Sequence, residues 1–273
     1  MDYIRVILYG VIEGITEWLP ISSTGHLILA EKLLALPYSE EFMSMFRVVI
    51  QLGAILAVVV LYFPRLWPFT TDPRHKYQRP QVWQLWFRVL AATLPAMVLG
   101  LLLDDWLDAH LYNYITVAAM LILYGVLFLV VENRRRAPVV KRLDQITYRQ
   151  ALIIGCWQVL AMIPGTSRSG ATIVGALLLG LARPAAAEFT FFLAIPVMAG
   201  ASGLKLVKFL AGGGAFTSGE LAALALGCGV AFVVSVGAIR FLVSFVQRHD
   251  FKVFGWYRIA LGALVLAAAF PGF

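Results

Sequence analysis

The run Glu13-Gly14-Ile15-Thr16-Glu17-Trp18-Leu19-Pro20-Ile21-Ser22-Ser23-Thr24-Gly25-His26 decides the fold, together with a second run, Pro164-Gly165-Thr166-Ser167-Arg168-Ser169-Gly170-Ala171-Thr172. Each is a short polar loop inside apolar sequence. Carboxylates, hydroxyls, an imidazole and a guanidinium stand where the flanking residues would enter lipid. An ionisable side chain at that depth costs roughly 2.5–3.5 kcal/mol even on the most lenient insertion scale, so a functional role is the default reading. One loop offers acids and hydroxyls, the other a cation and small residues. Together they suit a phosphate ester.

Working outward, the 273-residue chain is 61% hydrophobic and 14% charged, with a mean hydropathy of +0.84. Soluble domains carry about 25% charge and about 45–50% apolar residues, so the composition is that of an integral membrane protein. No separate soluble domain fits, and residues 1–273 read as a single membrane domain. The formal charge of +7 is concentrated in connections: Arg65, Arg74, Lys76 and Arg79 in one, Arg134, Arg135, Arg136, Lys141, Arg142 and Arg149 in another. That placement sets topology and argues against a nucleic-acid partner. Cys156 and Cys228 read as small core residues with no disulfide or metal spacing. The amino-terminal apolar run carries Glu13 and Glu17 and lacks a small-residue cleavage site, so it is expected to be retained structure.

Six segments are long enough to span a bilayer, at about 44–63, 86–104, 113–131, 188–210, 219–239 and 253–270. Four more are too short alone, at about 3–18, 24–36, 149–162 and 170–181. These form two pairs, each interrupted by a polar loop, as expected of two re-entrant helix hairpins. The predicted fold is an all-α polytopic membrane protein of six transmembrane helices plus two re-entrant hairpins. Residues 1–131 and 146–273 then repeat the order hairpin, span, span, span. Connections 64–85, 132–149 and 240–252 are basic, whereas 37–43, 105–112 and 211–218 lack Lys and Arg. The positive-inside rule puts the basic set in the cytoplasm and both termini outside, giving the halves opposite topology so that their loops meet near the midplane.

Glu13 and Glu17 share a helix face at i, i+4 spacing. Such a pair can act as general base plus metal ligand, or bind a proton, and the bland alternative is a carboxylate satisfied by backbone donors. Ser22, Ser23 and Thr24 supply a helix cap and exceed what one cap needs. A hydroxyl beside a carboxylate base is a nucleophile arrangement, with water as the open alternative. His26 suits protonation of a leaving oxygen or a hydrogen bond to phosphate, while His75, His110 and His249 fall in connections. In the second loop Gly165 and Gly170 permit close backbone approach, and Ser167, Ser169 and Thr172 supply donors at a helix start. Arg168 offers a fork for phosphate oxygens, or merely neutralises an acid. Gln158 holds the place that Glu13 has in the first half and reads as packing or hydrogen bonding. Asp104, Asp105 and Asp108 read as a solvated face in an outer connection.

Spacing excludes familiar phosphate chemistries. There is no GxxxxGK[ST]. Met162 and Val234 stand six residues after the two cysteines, where a Cys-x5-Arg loop needs arginine. Val174 stands where the acid phosphatase signature needs a histidine six residues beyond Arg168. The two motifs, ExxxE-x2-PxSSTGH and PGxSRSGAT, instead resemble those of the undecaprenyl-pyrophosphate phosphatase, or bacitracin-resistance protein, family. The similarity runs along the whole chain, including Phe46 to Ala57 and Tyr148-Arg149-Gln150-Ala151. It implies a bacterial inner-membrane enzyme that dephosphorylates the polyprenyl diphosphate carrier of cell-wall precursors at the outer face, supporting cell shape and bacitracin resistance. It also implies functional roles for Glu13, Glu17, Ser22, Ser23, His26, Ser167, Arg168, Ser169 and Thr172. A divalent cation, magnesium or calcium, held by Glu13 and Glu17 follows from the resemblance and the acids together. No organic cofactor is expected, and a homodimer is compatible with the sequence. The rival class is a transporter or flippase of an anionic prenyl lipid, because inverted repeats with broken helices are also transporter architecture.

Overall fold

The computed structural model describes residues 3–69, 79–134 and 137–269, all helix and connection with no strand among them. The helices are α1 (Tyr3–Thr16), α2 (Ser23–Leu33), α3 (Glu40–Val49), α4 (Gln51–Leu61), α5 (Phe63–Leu66), α6 (Arg79–Leu111), α7 (Tyr114–Asn133), α8 (Tyr148–Val159), α9 (Arg168–Leu178), α10 (Arg183–Ala211), α11 (Ser218–Arg248) and α12 (Lys252–Ala268). Their starts follow capping chemistry. Ser39 and Asn113 accept from the amides of Phe42 and Thr116, and Thr147 with Gln150 and Thr217 with Glu220 form reciprocal capping boxes.

Among the described residues, five stretches are long and apolar enough to cross a membrane: Glu40–Leu61, Pro80–Leu103, Tyr114–Asn133, Arg183–Ala211 and Ser218–Arg248. This is a multi-pass membrane protein. The segment expected as a sixth span, 253–270, coincides with α12, whose 17 residues leave it outside these five. The short pairs α1/α2 and α8/α9 are each broken at a polar loop, the second with a single 3-10 turn at Leu160–Met162 before it.

Several boundaries differ from the sequence reading. The span at 44–63 is two helices jointed at Ile50, whose amide still bonds to Phe46 O at 3.0 Å. Residues 104–111 continue α6, carrying Asp104, Asp105, Asp108 and His110 on a helix, because nothing breaks it before Asn113 caps the next. Likewise α11 runs to Arg248 and reduces the expected connection at 240–252 to three residues, His249 to Phe251. Basic side chains are tolerated there, since long stems extend toward the interface and cations suit a helix C-terminus. Cys156 is exposed, not core: α8 buries Ala151, Ile154, Gly155 and Gln158, leaving Cys156 off that face. Cys228 is half-buried. His75, Arg74, Lys76, Arg135, Arg136 and the end of the last segment at 270 lie outside the described residues.

Helix α7 packs along α12, α1 along α11, α8 along α6, and α10 touches α3, α4, α6 and α9. Small residues let these backbones meet, as van der Waals packing in lipid requires. A Cβ on Gly125 would lie 2.8 Å from Gly255 O, and one on Gly255 would lie 2.9 Å from Gly125 O. Across α4 and α11 the approach is closest, with a Cβ on Gly53 falling 2.0 Å from Cys228 O. Trp18, Phe189, Phe191 and Phe192 are fully buried in the core, while Leu101, Leu102, Ile115 and Val233 are exposed on long apolar helices, as lipid contact demands. Glu132 joins three elements, accepting from Arg183 Nε and Nη2 at 2.9 and 2.6 Å and from the Phe251 amide at 3.0 Å.

Gly53→Ala is therefore expected to lower the thermal midpoint of detergent-solubilised protein, because backbone cannot move aside as a side chain would. Gly229→Ala, which meets nothing within 4 Å, should be neutral or slightly stabilising. Equal midpoints for Gly53→Ala and the parent would contradict the α4–α11 contact.

Candidate active site

Both polar loops use the same device to re-enter a helix. After α1 ends at Thr16 the chain turns through residues 17–21, and Ser22 caps α2 with φ 76° and ψ 105°, its Oγ accepting from the Gly25 amide at 3.3 Å. After α8 and its 3-10 turn, Ser167 caps α9 with φ 69° and ψ 124°, its Oγ accepting from the Gly170 amide at 3.2 Å. These are the two non-glycine residues with positive φ among those described. Such backbone costs of order 1–3 kcal/mol each and concentrates at functional sites. In the second loop Gly165 has φ +93°, and a Cβ there would stand 2.5 Å from Val117 O, so neither the turn nor the space admits a side chain.

The loops meet at Glu17. Its Oε1 accepts from Arg168 Nε at 3.1 Å and its Oε2 from the Ser23 hydroxyl at 3.3 Å. One carboxylate thus spans a candidate nucleophile from its own loop and a cation from the other. Ser169 ties the loops again, its fully buried hydroxyl lying 3.0 Å from Glu17 O and 3.2 Å from Ser167 Oγ. Arg168 also donates Nη1 to Thr190 O at 2.8 Å and lies over Trp18 with 5.7 Å from Cζ to the ring centroid. Its Nη2 is buried and has no hydrogen-bond partner among the described residues. Arg168 is thereby aimed by one carboxylate, one carbonyl and one aromatic face, with a donor left over.

The remaining expected residues divide. Glu13 is fully buried one turn before Glu17, and neither oxygen has a hydrogen-bond partner among the described residues. Ser22 is fully buried and spent on its cap. Thr172 is turned into the protein, its hydroxyl bonded to Arg168 O at 2.9 Å and to Thr190 Oγ1 at 2.9 Å, so it supports the Arg168 helix start from behind. Gly170 lies against the second loop's capping hydroxyl, where a Cβ would meet Ser167 Cβ at 3.3 Å. His26 places Nδ1 2.7 Å from Ser22 O and Nε2 2.7 Å from Tyr257 Oη. Gln158 is buried, and neither of its side-chain polar atoms has a partner among the described residues.

Two site residues were not foreseen. Arg258 is fully buried in α12 and donates to Pro20 O at 3.2 Å from one loop, and to Gly165 O and Thr166 O at 2.9 Å from the other. It also reaches Met120 O and Leu121 O of α7 at 3.4 Å, with its guanidinium 5.6 Å from the Tyr124 ring centroid. An arginine in the middle of an apolar segment was the available signal. Tyr257, its neighbour, carries no such mark, because tyrosine is ordinary in membrane helices.

The arrangement can bind an anion and activate an oxygen. The starts of α2 and α9 both lie at the joined loops, so amide dipoles favour negative charge there. Arg168 and Arg258 add fixed cations. Glu17 is a base in contact with a hydroxyl. The oxygens of Glu13, Glu17 and Ser23 are the donor type that suits magnesium or calcium, and the two unpartnered Glu13 oxygens fit such an ion, although no group of three or more His, Cys, Asp and Glu side chains converges among the described residues.

Known proteins resemble this chain along nearly its whole length. Residues 6–264 match the family model described as bacitracin resistance protein BacA. A protein from Enterococcus faecalis named undecaprenyl-diphosphatase is 56% identical over 269 residues, covering 97% of this chain and 96% of that protein. Proteins of the same name from Acetivibrio thermocellus and Desulfitobacterium hafniense are 55% and 56% identical, each across 97% of this chain and across 97% and 95% of their own lengths. With the match spanning nearly the whole chain and both loops, the protein belongs to the bacitracin resistance protein BacA family.

Proposed function

We propose that this protein is an undecaprenyl-diphosphate phosphatase, hydrolysing the terminal phosphate of a polyprenyl diphosphate lipid to give the lipid monophosphate and inorganic phosphate. The observation that carries the reading is Glu17 in simultaneous contact with the Ser23 hydroxyl and the Arg168 guanidinium. A pure transporter needs an anion cradle but has no use for a base seated on a hydroxyl.

Arg168, with the α9 amides behind it, holds the diphosphate and stabilises charge on the phosphoryl oxygens during in-line transfer. Glu17 takes the Ser23 proton as Oγ bonds to the terminal phosphorus and the bridging P–O bond breaks, leaving the lipid monophosphate. Glu17 returns that proton to the bridging oxygen as the lipid monophosphate leaves; the regenerated carboxylate then takes a proton from the attacking water and gives it to Ser23 Oγ as the Oγ–P bond breaks and phosphate departs. The loop-buried position excludes bulk water and keeps these charges effective. Glu13 and Glu17 would hold a magnesium or calcium ion, which when bound supplies neutralising charge to the phosphate oxygens. The prenyl tail lies along apolar helix faces open to lipid.

In the membrane we read six spans and two re-entrant hairpins, arranged as inverted halves at about 1–131 and 146–273. Helix pairing supports the repeat. Exchanging each element for its counterpart turns α1 against α11 into α8 against α6, turns α4 against α11 into α10 against α6, and returns α7 against α12 to itself. The positive-inside rule then gives a cytoplasmic-membrane protein with both termini outside and a site opening to the outer face.

In a phosphate-release assay on detergent-purified protein, Arg168→Ala should lose nearly all turnover, and Arg168→Lys should recover part of it for want of a fork. Glu17→Gln should fall at least about 100-fold, the low end for a lost general base. Ser23→Ala should lose nearly all turnover, whereas a loss of only about 10–100-fold would mean that Ser23 merely donates a hydrogen bond and water attacks. Near-parental activity in Arg168→Ala or Glu17→Gln would overturn the assignment. For topology, in a chain lacking Cys156 and Cys228, cysteine at the exposed positions Ala109 or Ala215 should react with an impermeant thiol reagent from outside, and cysteine at exposed Val139 should not. The reverse pattern would invert the orientation.

A further inference from the structure

His26 enters the site on α2, yet both of its ring nitrogens are engaged by protein. Nδ1 lies 2.7 Å from Ser22 O, and a carbonyl can only accept, so Nδ1 carries the hydrogen. In the neutral ring Nε2 is then a lone pair, and the group 2.7 Å away is Tyr257 Oη, which must donate. The two rings are nearly parallel, at 10° and 5.6 Å between centroids. His26 is thus gripped at both ends, by the strained cap of its own loop and by a hydroxyl from α12.

The two grips differ in kind. The bond to Ser22 O is local, closing a turn four residues back at a backbone position held by strain. The bond to Tyr257 comes from another helix, 231 residues on, and Tyr257 is 45% exposed where Ser22 is fully buried. Tyr257 is also next in sequence to Arg258, whose guanidinium holds Pro20 O and Gly165 O. The helix that fixes the two loops therefore also delivers the hydroxyl that aims the imidazole.

We infer that Tyr257 is a positioning residue for the reaction, holding the ring plane of His26 through Nε2 so that Nδ1–H stays on Ser22 O. The inference rests on the phosphatase reading above. Tyr257 acts through His26: without its hydroxyl the ring is free to turn about its remaining bond, and its Nδ1–H no longer holds the strained Ser22 carbonyl, next to Ser23, in one defined position.

Two measurements test this. The first is a double-mutant cycle in phosphate release with His26→Ala and Tyr257→Phe. Tyr257→Phe should lower kcat about tenfold, the scale of one lost hydrogen bond, with KM changed less than about threefold. In the His26→Ala background the same substitution should change nothing further. Additive losses, or no loss in the parent, would overturn the inference. The second is nitrogen-15 NMR of the parent protein, whose four histidines allow His26 to be assigned by comparison with His26→Ala. Nδ1 should read as protonated and Nε2 as a hydrogen-bonded acceptor, and the opposite tautomer would overturn the inference even if Tyr257→Phe failed to fold. An absence of phosphate release by the parent protein would instead count against the phosphatase reading, which the NMR result does not touch.

Discussion

The site depends on one guanidinium. Two irregular loops buried among helices carry carbonyls that no helix or strand partner satisfies, and buried backbone of that kind needs donors from elsewhere in the protein. Arg258 supplies them, reaching Pro20 O, Gly165 O and Thr166 O while also touching α7 at Met120 O and Leu121 O. A buried cation is costly, so a chain retains one where several partners repay it. Here the partners are the two loops and the helix behind them. The same residue ties two separate interruptions together and places a buried positive charge between them.

Around that anchor the chemistry is divided between the loops. The first provides Glu17, Ser23 and the orphaned Glu13, and the second provides Arg168 on the opening turn of α9. Neither loop is sufficient: the first has acids and hydroxyls without a cation, the second a cation without a base. Ser169 reinforces the seam by lying 3.0 Å from Glu17 O. The strained Ser22 and Ser167 caps aim both helix starts at this seam, so strain stored in each loop is offset by the bonds that join them. Farther out, glycines such as Gly53 and Gly125 bring the supporting helices to backbone contact, and that rigidity keeps the two loops in register.

Much of this was legible in the sequence because lipid makes polar residues conspicuous. Glu13, Glu17 and Arg168 stood out against apolar flanks, the short segments on either side identified broken helices, and the serines before Gly25 and Gly170 marked the caps. The contact of Ser23 with Glu17 followed from their nearness across a tight turn. What escaped was information that lives in helix–helix contact. Arg258 sat in a segment recognised only for its length, and Tyr257 had no local signal at all. The joint at Ile50 lies within continuous hydrophobicity that a length criterion reads as one span. Helices α6 and α11 outran their expected ends because charged residues at a membrane boundary do not stop a helix. Cys156 was placed in the core on its residue type, whereas the face of α8 that packs decided otherwise.

The central claim is that Glu17 and Arg168, brought from opposite halves of the chain, work as one unit on phosphate. A double-mutant cycle in kcat for phosphate release, with Glu17→Gln and Arg168→Lys measured singly and together, tests it most directly. Direct contact predicts a coupling of about 0.5–3 kcal/mol, so that the double variant loses about 2–160-fold less than the two single losses multiplied. Losses that multiply without coupling would mean that the two residues act independently, and would contradict the account.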